Sequence, residues 1–239
     1  MPDLDAWVAR RRRESKAAAA LDARRVTPSV RDIGAVLRPG RRDLVGIPVV
    51  APADEPSAVA VARRALAADV AALAFTADPD LGGSLAAVRA ASDVLPSTPV
   101  VRLDPLVAEA QVLESRLAGA DAVTLPAGFL EVDELRRLAK VVRSTMMTPL
   151  FLVRSAAEWA TASEADARFV LASARGAGVS AALDVATSLP ARASVCLWAD
   201  GLDSAEAVRA LLGRADGVLL GAAFPVGSWG EVAVVEPPG

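Results

Sequence analysis

Histidine and tyrosine are absent from the 239 residues, and lysine occurs only at Lys16 and Lys140. The commonest general acid–base is therefore unavailable. Both lysines fall in stretches that read as outer helices, away from any Schiff-base or phosphate-holding role. The single cysteine, Cys196, excludes an internal disulfide and fits a reducing, cytoplasmic setting. No apolar run approaches the roughly 18 residues that a membrane span needs. The start carries Asp3 and Asp5 and lacks the apolar core of a secretory leader, so no membrane association is expected.

The acidic excess is small, a formal net charge of −3, but its distribution is uneven. Arg10 to Arg13, Arg24, Arg25, Arg38, Arg41 and Arg42 make the N-terminal part basic. No aromatic platform or binding motif accompanies them, so a nucleic-acid partner is not expected. The run reads as a solvated helix face.

What is present is alternation. Leu4–Ala20 has the spacing of an amphipathic helix, with Leu4, Trp7 and Val8 on one face. After a Pro/Gly-punctuated connector, short apolar runs alternate with helical stretches. Strands are predicted at Leu44–Val50, Ala71–Phe75, Pro99–Leu103, Ala122–Leu125, Pro149–Val153, Phe169–Ser173, Ser194–Trp198 and Gly217–Leu220. Helices are predicted at Ser57–Ala68, Ser84–Ser92, Glu109–Ala118, Val132–Ser144, within Ala156–Ala165, at Ser180–Ser188 and at Ser204–Leu212. The strands are continuous apolar runs, as parallel strands covered on both faces should be. Eight such units in about 200 residues predict an α/β fold, a single (β/α)8 TIM barrel with an extra N-terminal helix. A doubly wound open sheet is the structural alternative. Residues 1–43 read as a helix and connector packing on the barrel, and residues 44–239 as the barrel itself. The tail from Val226 lacks a convincing final helix.

Several segments in order and in register resemble the indole-3-glycerol phosphate synthase family. They are Thr76 followed by Gly82-Gly83-Ser84, Pro99-Val100-Val101-Arg102-Leu103-Asp104, Gln111-Val112-x-Glu114-x-Arg116-x-x-Gly119-Ala120-Asp121, and Asp216-Gly217-Val218-Leu219-Leu220-Gly221. The resemblance implies a lyase of tryptophan biosynthesis that loses CO2 and closes an indole ring. It places acid–base and charge-holding residues at C-terminal strand ends. A fold shared in this way is no proof of a shared activity.

The positions implied by the resemblance hold other residues here. The first-strand glutamate and lysine fall on Gly46 and Pro48, and the third-strand lysine, the expected general acid, on Leu103. The fifth-strand glutamate falls on Leu152, the sixth-strand asparagine on Ser173, and the seventh-strand glutamate on Ala199. In the phosphate site Gly201 and Gly221 remain, but the serine is Asp200. A carboxylate about 5 Å from a phosphate repels it by roughly 3 kcal/mol per charge pair at an effective dielectric near 20. Losing a positioned acid or base costs about 10²- to 10⁴-fold each. No catalytic residue is therefore assigned.

The candidates for binding a ligand are Arg102, Asp104, Arg175, Asp200, Gly201 and Gly221. Asp54, Asp78, Asp80, Asp104 and Asp200 fall in top-face loops, but without a diagnostic ligand spacing, so neither a metal nor a cofactor is expected. Cys196 reads as a small core residue, and Trp198 as partly filling the old pocket, with stacking on a planar ligand as the alternative. Trp159 and Trp229 are candidates for partner contacts. Three readings follow: a non-catalytic paralogue that binds a protein partner or small ligand, a divergent lyase or isomerase using the surviving charged residues, and an active synthase with relocated groups.

Overall fold

The structure is a computed structural model that describes residues 8–13, 26–38, 43–173 and 178–237. Eight parallel strands close into a barrel in sequence order: β1 Val45–Val50, β2 Leu73–Phe75, β3 Val100–Pro105, β4 Ala122–Pro126, β5 Thr148–Val153, β6 Phe169–Ser173, β7 Ser194–Trp198 and β8 Gly217–Leu220. β8 closes on β1 through Val45↔Gly217 to Pro48↔Leu220. The helices that follow the first seven strands are α1 Glu55–Ala67, α2 Leu85–Val94, α3 Glu109–Leu117, α4 Val132–Ser144, α5 Ala156–Glu164, α6 Gly178–Thr187 and α7 Ala205–Arg209. After β8 the chain makes only a 3-10 turn, Val226–Glu231. The barrel is thus the predicted one, and the open sheet is excluded. Of the helix expected over Leu4–Ala20, residues 8–13 are helical and the rest lies outside the described residues.

Side-chain alternation along each strand divides the apolar residues into two sets. The inward set is Val45 and Ile47 on β1, Ala74 on β2, Val101 and Leu103 on β3, Ala122 on β4, Leu150 and Leu152 on β5, Leu171 on β6, Cys196 on β7 and Leu219 on β8. These fill the barrel as a packed core rather than a channel. The outward set, such as Phe75, Val100, Leu197 and Leu220, packs beneath the helices.

The short helix Ile33–Val36 closes the bottom of the barrel. Ile33 and Leu37 belong to the same cluster as the interior residues. Ser194 Oγ donates to the Leu37 carbonyl, and a Cβ on Gly217 would stand 2.6 Å from Leu37 Cδ2. Glycine at 217 is therefore what lets the plug seat. Asp121, at the head of β4, fastens the connector beside it. Its carboxylate accepts from the Val100 amide at 2.8 Å and from Ser29 Oγ at 2.7 Å, and pairs with Arg31 at 2.7 Å and Arg116 at 2.8 Å. The Arg116-to-Asp121 motif that carried part of the resemblance thus holds the floor of the barrel together, far from the strand ends where chemistry is placed.

Candidate functional site

A cavity of about 410 Å³ opens at the C-terminal ends of the strands. Its walls are Val49, Val50 and Ala51 after β1, Thr76 and Leu81 from the loop after β2, Trp198 to Leu202 after β7, and Gly221 to Ala223 after β8. This is where a barrel presents its ligand site. Trp198 packs on the interior cluster with one side and lines the cavity with the other. It takes up part of the mouth and leaves the cavity open beside it.

The chemistry of these walls is sparse. Among the described residues Asp200 is the only ionisable side chain on them. Gly201, with φ of 88°, and Gly221 leave open space beside their α-carbons, so backbone rather than side chains borders that end of the cavity. Asp200, Gly201 and Gly221 are therefore brought together as expected from the sequence. Arg175 lies outside the described residues.

The strand-end positions differ in which way they face. Leu103 and Leu152 face inward and are buried. Ser173 is buried at the inward end of β6, and Ala199 borders the cavity. Gly46 and Pro48, however, do not face the interior. Val45 and Ile47 are in the inward cluster, so alternation turns Gly46 and Pro48 outward. A Cβ on Gly46 would meet the Val232 carbonyl oxygen at 2.5 Å, and the Gly46 amide donates to that same oxygen at 2.8 Å. Gly46 serves the close approach of the C-terminal tail. The inward residues of β1 near the mouth are Ile47 and Val49, so either registration leaves this strand without an acid or base.

Arg102 and Asp104 are also corrected. They sit on the outer face of β3, beneath α3, and do not line the cavity. Arg102 Nε donates to Asp104 Oδ2 at 2.9 Å, and Arg102 Nη1 to Ser115 Oγ at 2.9 Å. Asp104 Oδ2 also accepts from the Ala77 amide at 2.8 Å. Both residues are 1% exposed. Burial pushes the Arg102 guanidinium below its ordinary pKa, the adjacent Asp104 pushes it back up, and Arg11 lowers it further. A pair enclosed in this way joins strand, helix and loop; it offers nothing to a ligand at the top of the barrel.

The other acids are likewise engaged. Asp54 caps α1 by accepting from the Ser57 amide at 2.7 Å, which lowers its pKa. Asp78 is buried and pairs with Arg10 at 2.7 Å, and Arg10 also pairs with Asp80. Among the described residues no group of three or more Asp, Glu, Cys or His is arranged to hold a metal ion. Cys196 is buried inside the barrel, and burial raises its thiol pKa strongly, so it is a protonated core residue as expected. Trp229 is buried in the outer core and Trp159 packs partly against α4 and its neighbours. No described helix is long and apolar enough to cross a membrane.

The sequence reading missed the partners of the basic run. Arg10 is half-buried against Asp78, whereas Arg12 is exposed as expected but also donates to the Phe129 carbonyl at 2.9 Å and reaches Glu134 at 3.3 Å. The signal available was the pair Asp78-x-Asp80 in a top-face loop, opposite in charge to the arginine run. It also missed Val49, Val50, Ala51, Thr76 and Leu81 as cavity walls.

The profile of the family described as indole-3-glycerol phosphate synthase matches residues 49–227. The indole-3-glycerol phosphate synthase of Parafrankia sp. is 36% identical over 177 residues, covering 69% of this chain and 64% of its own. The synthase of Nocardioides sp. is 39% identical over 141 residues, covering 57% of this chain and 50% of its own. The chain thus matches about half to two thirds of the length of these relatives. Among solved structures, 3-keto-L-gulonate-6-phosphate decarboxylase from Vibrio cholerae superposes with a TM-score of 0.65 at 14% identity, over 79% of this chain and 92% of that one. That likeness shows the fold alone. The profile match runs from the end of β1 past β8, the same span that carries the barrel and its cavity, and on that ground the chain belongs to the indole-3-glycerol phosphate synthase family.

Proposed function

We propose that this chain is a non-catalytic member of its family, which binds a small ligand with a mainly apolar body in the barrel-top cavity instead of turning over the family's carboxylated, phosphorylated precursor. One observation carries this reading. The inward and cavity-bordering residues at the strand ends are Val49, Leu103, Leu152, Ser173, Trp198 and Ala199, none of which is ionisable. Decarboxylation with ring closure needs a proton donor, a cationic hold on the carboxylate and a base; the described walls offer one carboxylate, Asp200. That charge opposes a phosphate rather than holding it.

The reading as a divergent lyase or isomerase using the surviving charged residues loses two of its four, because Arg102 and Asp104 are spent on each other behind β3. An apolar wall with a few backbone polar groups is the composition of a small-molecule binding site.

Complementation tests the proposal. In a tryptophan auxotroph lacking its own synthase, expression of this chain to a level confirmed in the soluble fraction is expected to give no growth without tryptophan. Growth at a rate near that given by an active relative would overturn the reading.

A further inference from the structure

Among the N-terminal arginines, Arg10 contacts the loop that forms one wall of the cavity. The loop between β2 and α2 lends Thr76 and Leu81 to that wall, and its fold depends on carboxylates. The Ala77 amide donates to Asp104 Oδ2 at 2.8 Å, and the Asp80 amide to Asp78 Oδ1 at 2.9 Å. The Leu81 and Gly83 amides donate to the Asp78 carbonyl at 3.0 and 2.9 Å. Asp78 is 1% exposed. Its other oxygen, Oδ2, accepts from Arg10 at 2.7 Å, and Arg10 also pairs with Asp80 at the far side of the turn.

The same helical segment is anchored independently of the loop. The Arg11 carbonyl accepts from Gln111 Nε2 on α3 at 3.1 Å. Arg12 donates to the Phe129 carbonyl at 2.9 Å in the loop before α4. The segment 8–13 thus lies across the elements after β2, β3 and β4, and Arg10 projects from it onto the two acids that shape the loop.

We propose that residues 8–13 form an ion-pair strap, in which Arg10 holds the β2–α2 loop in place and so sets one wall of the cavity. Release of Arg10 frees the loop bearing Thr76 and Leu81 to move and changes what the cavity admits. The link from strap to ligand rests on the cavity being the binding site proposed above; the hold of the strap on the loop does not.

Hydrogen exchange of the full chain, followed by mass spectrometry, separates the two. In Arg10→Ala the amides of residues 77–83 are expected to exchange about tenfold faster or more, the change that follows from losing a charge-assisted hydrogen bond to a buried carboxylate. Amides of β5 to β7 should change less than those of the loop, and the melting temperature should fall by only about 2–5 °C, because Asp78 is left without this cation. Arg10→Lys, which keeps the charge but not the fork, should fall between the two. Unchanged exchange of residues 77–83 in Arg10→Ala would overturn the proposal. So would a loss of protection spread evenly over loop and strands, since that is loss of general stability. Growth of the auxotroph would remove the ligand-binding reading and leave this result standing.

Discussion

Leu103→Lys is expected to destabilise the protein by about 4–5 kcal/mol at pH 7. Leu103 is fully buried in the barrel interior, at the position where the family resemblance implies a lysine. The described inward side chains around it, including Ile47, Ala74, Val101, Ala122, Leu150, Leu152 and Leu171, are apolar. A lysine there meets no carboxylate among the described residues of this cluster, and buried lysines of this kind titrate near pH 5–6 against about 10.4 when unfolded. At pH 7 the amine is therefore neutral in the folded state and charged in the unfolded one, a difference of about 3.4 pH units at about 1.36 kcal/mol each.

The sign follows from the lowered folded-state pKa: unfolding takes up a proton, so raising the pH favours the folded state. By pH 9 the penalty should shrink to about 2 kcal/mol. Urea unfolding of Leu103→Lys and of the volume-conserving control Leu103→Met, expected to cost less than about 1.5 kcal/mol, measures both. A lysine tolerated at pH 7 with no pH dependence would mean that water or an acid reaches this position. The mouth of the barrel would then still be equipped for charge.

Arg102→Leu is expected to cost about 3–5 kcal/mol, because it leaves the Asp104 carboxylate buried without its cation. Asp104 Oδ1 already lacks a hydrogen-bond partner, so the lost guanidinium has no substitute among the described groups. Adding Asp104→Asn removes the stranded charge while keeping an acceptor for the Ala77 amide. The double variant should therefore be more stable than Arg102→Leu by about 2 kcal/mol or more. Ser115 Oγ keeps its bond to the Gln111 carbonyl at 2.6 Å and adds little to the balance. A double-mutant cycle in urea reads the coupling directly. Additive effects would show that the two charges do not depend on each other.

Much of this molecule was legible in its sequence because the strands are short apolar runs set off by polar turns. Val132–Ser144 and Gly217–Leu220 are found with the predicted bounds. The helix expected over Ser204–Leu212 stops at Arg209, and the chain turns through Gly213 with φ of 76°; apolar spacing alone does not mark that end. The inward residues on β3 and β5 followed from matched motifs, as Leu103 and Leu152 illustrate. On β1 the match failed by one residue, because a run such as Val45 to Val50 carries no polar alternation to distinguish its faces, and a one-residue slip exchanges inside for outside. Arg102 and Asp104 were misplaced for a related reason. Charged residues beside a strand end suggest a ligand site, whereas alternation around an inward Leu103 sends both of them beneath a helix. The Arg10 contacts were hidden because their partners lie 68 positions away in the case of Asp78, and only the closed barrel brings that loop under the N-terminal segment.

The central claim is that the barrel has kept its shape and lost its proton-transfer groups, and it is tested most directly by single-turnover kinetics with purified protein in excess over the family's indole precursor. Ring closure is followed by the appearance of indole fluorescence over hours at pH 7. The account predicts no product above the rate without protein. Product formed within about 10²- to 10³-fold of the rate of an active relative, a loss no larger than that of one positioned group, would contradict it.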